Sequence, residues 1–411
     1  MTRKALSLPR RSGAEWGLRA ALALGAAALG YSSVTHSMAY AMRAGATELA
    51  HALAPNDGRI TALLSEQLSG PEASATDREH ADVLAREALR QEPTAVPAVA
   101  TLGINAQIRG DTAAARRIFA HSNALSRRDV RTRLWAIEDA VSRQDIPATL
   151  RNYDIALRTS RSMPDVLFPV LAGAIGDANI RAGLVSILAT RPLWAPQWIV
   201  YISGNGPDAR TAAALFRALD QAKVPIPYDA RSALLRRMVG QGLVEQAWTF
   251  YAASTRNADR RMSRDPYFQV DHAVPSPFDW TAIQDNGMSS SIQRGQDGGI
   301  FDFTASAGMG GPMLVQMQVL PPGRYLIEGR STGIEPSEPA RPYWRLACAN
   351  GRELGSVDIP ADPATQGRFR GYFDVPVGCP AQYLTLMARG SSQVGGIAGQ
   401  ITQAILHPAK P

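Results

Sequence analysis

The stretch LVQMQVLPPGRYLIEGRS, Leu314 to Ser331, decides how this chain is to be read. Val315, Met317 and Val319 alternate with Gln316 and Gln318, Pro-Pro-Gly interrupts, and Tyr325, Ile327 and Glu328 resume an extended pattern. Period-two alternation on both sides of a turn signal predicts two strands joined as a β-hairpin. Most of the sequence before it has the apolar spacing of helices, so the chain reads as a helical part followed by a sheet part.

Working outward, further alternating segments lie near Phe278–Ile283, Gly299–Ala305, Tyr343–Ala349, Glu353–Ile359, Arg368–Val375, Gln382–Ala388 and Gly396–His407. With the two strands of the opening stretch, nine short strands at this spacing predict an antiparallel β-sandwich over residues 276–411. Alternation also sorts side chains between faces. In PYWRLAC, Trp344, Leu346 and Cys348 share one face, and in RFRGYFDV, Phe369, Phe373 and Val375 share one; these are the expected core faces. The opposite faces carry Tyr343 and Arg345 from one strand and Arg368, Arg370 and Tyr372 from the other. An aromatic ring beside a guanidinium suits a sugar, whose C–H face stacks and whose hydroxyl edge takes hydrogen bonds. Tyr343, Arg345, Arg370 and Tyr372 are therefore the candidate carbohydrate-binding residues, expected to form one patch if their strands are neighbours. Ordinary surface tyrosines on solvated strands are the competing reading.

The chain has two cysteines, Cys348 and Cys379, both in the sheet part. In an oxidising compartment they are expected to pair, closing a loop of about thirty residues and contributing on the order of 3 kcal/mol. Two buried free thiols are the alternative. No Cys/His cluster has metal-ligand spacing, so neither a metal nor another cofactor is assigned. Asp297 with Asp302 offers too few ligands for a calcium site.

MSRDPYFQVDHAVPSPFDW, Met262 to Trp280, has three prolines and no sustained period, and residues 259–275 read as an interdomain linker. Before it, residues 45–258 form a train of short amphipathic helices with an internal period near 34 residues. Leu102-Gly103, Ala106, Gly110-Asp111, Ala115 and Phe119 have counterparts 34 residues on at Ala140, Gln144-Asp145, Thr149, Tyr153 and Ala156. GQGLVEQAWTFYAAS repeats the turn, the small residue at Ala247 and the aromatic at Tyr251. Small residues let paired helices approach, and the aromatic fills the gap to the next pair.

These positions, with the junction at Leu53, Pro55, Asn56 and Asp57, resemble tetratricopeptide repeats. That resemblance implies a solenoid of α-helical hairpin repeats (TPR-like) with a protein-binding surface. Through the GxFDF strand at Gly299–Phe303, the LPPGRY turn and the strand ending VGCPAQYLTL, the later region resembles jelly-roll carbohydrate-binding modules. The pairing of the two resembles accessory proteins of bacterial exopolysaccharide production and export.

Arg3, Lys4, Arg10 and Arg11 lie in a basic tail, residues 1–19, ahead of the uncharged run Ala20–Ala41. At a helical rise that run spans roughly 33 Å, enough for one membrane crossing. Residues 20–41 are read as a bacterial inner-membrane anchor with the bulk of the chain in the periplasm. A cleavable signal ending at Ala39-Tyr40-Ala41 and a buried helix of a soluble protein are the alternatives. The formal charge is +7, yet only Lys4, Lys223 and Lys410 are lysines, and the arginines are scattered among acids, which speaks against a nucleic-acid partner.

No nucleophile elbow, phosphate loop or metal signature occurs; an acid/base pair among Glu328, Glu353, Asp358 and Asp374 depends on distances that sequence does not set, and charged residues usually mark solvated faces. The expected function is a non-enzymatic, membrane-anchored adaptor in cell-envelope or exopolysaccharide biosynthesis, taking an envelope protein on its helices and polysaccharide on its β-domain. A polysaccharide-modifying enzyme and a protein-only secretion scaffold are the alternatives. A reporter fused after Pro411 should be active only if it functions outside the cytoplasm; activity in a cytoplasm-only reporter would remove the anchor and the envelope assignment.

Overall fold

The computed structural model describes residues 12–285, 287–295, 298–334, 340–360, 366–392 and 394–409. Arg3, Lys4, Arg10, Arg11, Asp297 and Lys410 lie outside them. Among the described residues fourteen helices precede ten strands. The helices are α1 (Gly13–Met42), α2 (Thr47–Leu53), α3 (Gly58–Leu68), α4 (Ala75–Gln91), α5 (Val96–Ile108), α6 (Thr112–Leu125), α7 (Val130–Ser142), α8 (Ile146–Thr159), α9 (Met163–Ala174), α10 (Ala178–Ala189), α11 (Ala195–Asn205), α12 (Ala209–Gln221), α13 (Tyr228–Gly240) and α14 (Val244–Ser254). The chain divides into two compact units, Met1–Arg161 and Ser162–Pro411. Helices α9–α14 therefore group with the strands, whereas the sequence placed a boundary after residue 258.

In the first unit α1 is long and apolar enough to cross a membrane by length and composition. Its C-terminal end is packed through Ala39 against Ala50, Ala54 and Ile60. Aspartate side chains cap the N-termini of α3, α6, α7 and α8, each accepting from backbone N–H groups of the first turn. The 34-residue period has a local cause. Gly110 and Gln144 both take positive φ after α5 and α7, and the following Asp111 and Asp145 amides donate five residues back, to Ala106 and Ala140. That is the left-handed helix stop repeated twice. Gly103 is needed because a Cβ there would meet the Phe119 ring at 2.8 Å. Phe119 in turn stacks on Trp135 of α7 at 4.4 Å, the contact between pairs that the spacing predicts.

In the second unit the same stop recurs after α12 and α13, at Lys223 and Gly242. The strands are β1 (Thr281–Ala282), β2 (Met288–Gly295), β3 (Gly298–Ala305), β4 (Gly311–Gln318), β5 (Gly323–Thr332), β6 (Tyr343–Cys348), β7 (Glu353–Asp358), β8 (Arg368–Val375), β9 (Gln382–Ala388) and β10 (Ile397–Pro408). They form two antiparallel five-stranded sheets, β1-β4-β9-β6-β7 and β2-β3-β10-β5-β8, around one apolar core. Trp344, Leu346, Cys348, Phe369, Phe373 and Val375 all lie in that core, as their alternation predicts. Cys348 and Cys379 are disulfide-bonded.

Two expectations are corrected. Leu314–Ser331 supplies two strands but not a hairpin: β4 and β5 belong to different sheets, and Pro-Pro-Gly carries the chain across the sandwich. Neither proline has an N–H for a ladder, which is compatible with a crossover and with a turn alike. Strand β2, MSSSIQRG, was not expected because three serines interrupt any apolar alternation. Ser290 is nonetheless buried, its hydroxyl bonded to the carbonyls of Ile283 and Met313.

The third correction concerns residues 259–275, which are built into the sandwich rather than joining it to the helices as a free linker. Ser263 N–H donates to the Leu406 carbonyl and Ala404 N–H to the Pro266 carbonyl, so this strap pairs with the half of β10 that β3 does not reach. Phe268 is wholly buried in the core. Between them the Arg264 side chain runs inward. Its guanidinium donates to the carbonyls of Phe278 (2.9 Å), Met262 (3.3 Å) and Met317 and to Gln318 Oε1 (2.8 Å). Its backbone exchanges two hydrogen bonds with the Gln316 amide. Gln316 and Gln318, expected to alternate outward, are fully buried on the core face because Arg264 comes in to meet them. Arg264→Met would leave these acceptors unpaired and should lower stability by about 3–5 kcal/mol in denaturant melts. A fragment begun at Pro275, which lacks the strap altogether, should fail to fold; a cooperative melt for it would show that the sandwich does not depend on the strap.

Candidate functional site

The four predicted carbohydrate-binding residues do not form one patch. Tyr343 and Arg345 are on β6, while Arg370 and Tyr372 are on β8 in the other sheet. The disulfide does not bring β6 and β8 together, because it ties the end of β6 to the turn before β9, its neighbour in the same sheet. The pairs also differ in access. Tyr343 is half-buried under the guanidinium of Arg389, 4.1 Å from its ring centroid, and that arginine is held by Asp358 at 2.7 Å. Tyr372 is 47% exposed.

Around Tyr372 the register between β5 and β8 sets out four cross-strand pairs on the outer face: Arg324 with Asp374, Leu326 with Tyr372, Glu328 with Arg370 and Arg330 with Arg368. Directly opposed residues of an antiparallel pair share a face. The Arg324 guanidinium lies 4.6 Å from the Tyr372 centroid. Glu328 is engaged by His407 at 3.3 Å. The last pair sets two exposed arginines opposite each other, an arrangement that costs stability in a sheet. Among the described residues neither of these guanidinium groups has an ion pair or hydrogen bond. Four arginines thus share this face with two carboxylates.

A second constellation, absent from the sequence reading, lies at the seam of α13, α14 and the strap. The Asp279 carboxylate accepts from Tyr251 Oη at 3.0 Å, from Tyr228 Oη and from the Ser276 amide at 2.8 Å. Tyr228 also stacks on His272, with ring centroids 3.5 Å apart. Burial, reinforced by the Asp279 charge, holds both tyrosine hydroxyls well above their ordinary ionisation range. Burial pushes Arg264 down to about 10, still far enough above neutrality to keep it charged. Proline interruptions hid this site in a segment read as linker. The signal available was its aromatic density, with Tyr267, Phe268, Phe278 and Trp280 inside nineteen residues; solvated linkers are poor in such residues.

Among the described residues no group of three His, Cys, Asp or Glu side chains could hold a metal ion. Asp302 accepts from Gln400 at 3.0 Å. Since the two tyrosines are harder to ionise folded than unfolded, their contribution to stability is present below pH ~10 and is lost as pH rises through the folded values. Arg264 opposes this with one proton against two. Stability should therefore fall with alkaline pH, and Tyr228→Phe with Tyr251→Phe should flatten that slope in melts between about pH 9 and 11. An unchanged slope would show that these hydroxyls do not titrate differently on folding.

No protein-family model and no curated protein matches the sequence. Among solved structures the chain is similar to a CBM4 module, with 13% identity, a TM-score of 0.27 and coverage of 36% of this chain and 99% of the module. It is similar also to the carbohydrate-binding module CBM6cm-2 of Cellvibrio mixtus lichenase 5A, solved with cellotriose, at 17% identity and TM-score 0.20, covering 31% of this chain and 92% of that one. A third similarity is to the enzymatically active domain of bacteriophage CBA120 tailspike protein 4, at 17% identity and TM-score 0.23; it covers 33% of this chain and only 20% of the tailspike domain. With identities this low and scores this small, the likenesses carry no inference about ligand or activity.

Proposed function

We propose that this protein is a membrane-anchored, non-enzymatic adaptor of the bacterial cell envelope that binds an acidic polysaccharide through the outer face of β5 and β8. The observation that carries the reading is the directly opposed pair Arg330 and Arg368, continued by Arg370, Arg324 and the exposed Tyr372. A sugar ring stacks on the tyrosine, and the arginines take carboxylates or other acidic substituents through planar two-donor contacts. An anion between Arg330 and Arg368 would relieve a repulsion that the free protein bears. Helix α1 supplies the anchor, with the rest of the chain in the periplasm, where the Cys348–Cys379 bridge is stable. The paired helices α3–α8, with their repeated stops 34 residues apart, serve as a TPR-like surface for an envelope protein in polysaccharide biosynthesis or export.

The test is titration of the full chain in nanodiscs with a hexauronide and with its carboxyl-reduced counterpart. Arg368→Gln and Tyr372→Ala should each raise the Kd for the hexauronide about tenfold, equivalent to about 1.4 kcal/mol. The Arg368 effect should shrink at high salt, as screening requires. Equal affinity for the acidic and the reduced sugar would sink the proposal. Trp344→Ala, one residue from Tyr343 but in the core, should instead unfold the sandwich by roughly 3–5 kcal/mol.

A further inference from the structure

Beside the Asp279 cluster lies a cleft of about 510 Å³, within the range of small-ligand sites. Its lining includes Tyr228, Tyr251, Tyr267, Trp280, Asp265 and Asp279. We infer that this cleft binds a neutral hexose unit, at a site separate from the acidic-sugar face of β5 and β8.

Three observations carry the assignment. The first is the aromatic at the mouth. Tyr267 is 46% exposed, although it sits in a strap pinned from several sides. Its carbonyl accepts from Gly299 N–H at 2.9 Å, and its hydroxyl meets the Gln403 amide at 3.4 Å. An exposed ring that cannot collapse onto the protein offers a ready stacking surface.

The second is the backbone that holds it. Asp265 and Phe268 both have positive φ, at 45° and 52°, an uncommon conformation for residues with side chains and most of all for a bulky one. The Asp265 carboxylate holds the turn by accepting the Gln269 and Val270 amides at 2.8 and 2.9 Å, and its carbonyl takes the Trp280 indole N–H at 3.0 Å. Gly299 passes so close that a Cβ there would lie 1.6 Å from the Phe268 carbonyl oxygen. Conformations of this cost persist where surroundings over-determine them, and they concentrate at ligand sites.

The third is charge. Asp265 and Asp279 line the cleft with acceptor capacity left over, since a carboxylate offers about four lone-pair sites. Two guanidinium groups, Arg256 and Arg264, also line it, but with Asp259 the carboxylates outnumber them three to two, and that of Arg264 is already committed to carbonyl and amide oxygens. A carboxylate accepts readily from adjacent hydroxyls and repels an acidic sugar. The ligand class is thus a hydroxyl-rich ring without a negative charge, with one C–H face for Tyr267.

The experiment is titration of the full chain in nanodiscs with neutral gluco-, manno- and galacto-configured tetrasaccharides, followed by Trp fluorescence and calorimetry. At least one should bind; Tyr267→Ala should weaken it by about tenfold, and Tyr267→Phe, which keeps the ring, by less than about threefold. Arg368→Gln should leave the neutral sugar unaffected, which separates this site from the outer face even if that face proves not to bind. Melts of each Tyr267 variant check that the fold is kept. No binding by any of the three sugars, or binding that Tyr267→Ala leaves intact, would overturn the assignment.

Discussion

A buried guanidinium with no carboxylate bonded to it is held by whatever oxygens the fold can bring to it, and in the second unit those four oxygens come from three separate segments. Arg264 draws on carbonyls of the strap, of the approach to β1 and of β4, and on the Gln318 amide that β4 turns inward. Its cationic face lies 5.3 Å from the Trp248 ring and 5.8 Å from that of Phe278. Removing any of these partners leaves part of a buried charge unsolvated, a cost of several kcal/mol, so the position of each is fixed by the others. The glutamines extend the constraint: Gln318 donates to Gln316 at 2.8 Å, while Gln382 bridges Leu320 to the carbonyl of disulfide-bonded Cys379. Gln318 and Gln382 are cross-strand partners, so the two buried polar groups lie side by side between the strap and the disulfide.

The helices reach that seam by the same local rule that orders them elsewhere. Gly110, Ala115 and Phe119 have equivalents at Gly242, Ala247 and Tyr251, each 132 residues later. Phe119 spends its ring on Trp135 of the next helix. Tyr251 has no following helix, and its ring meets Phe278 at 5.2 Å instead, with its hydroxyl turned to Asp279. The sandwich thus covers the apolar end of the last helix pair, which would otherwise stand open to solvent. That is the physical reason why a train of helices is followed by sheet.

How much of this was legible follows from which interactions are local. Strand alternation found the core faces of β6 and β8 correctly, because Trp344 and Phe373 obey the two-residue period regardless of which strand lies alongside. The turns at Gly110 and Gln144 were legible for the same reason, being set by a few consecutive residues. Sheet membership was not legible. Nothing in LPPGRY says whether β5 lies beside β4 or opposite it, and the same gap split Tyr343 and Arg345 from Arg370 and Tyr372. The strap was missed because its order comes from partners far along the chain: Ser263 pairs with Leu406, and Arg264 with Gln318. Gln316 and Gln318 look like solvated positions until the cation that faces them is known.

The composition also acquires a cause. The chain uses three lysines against a total of 43 basic residues. At Arg264, Arg324 and Arg389 the side chain lies against an aromatic ring while hydrogen-bonding or pairing at its edge. An ammonium group cannot do both, since it is compact, strongly hydrated and lacks a planar face. The same property separates the two candidate sugar surfaces. On β5 and β8 the Arg330 and Arg368 guanidinium groups are exposed and opposed, and their mutual repulsion favours an anion. In the cleft the Arg264 guanidinium is spent on the protein, and the carboxylates of Asp259, Asp265 and Asp279 outnumber the two arginines, Arg256 and Arg264, that line it. Arginine committed inward suits the proposed cleft site to hydroxyl donors; arginine left uncommitted on the outer sheet face suits the proposed site there to acids.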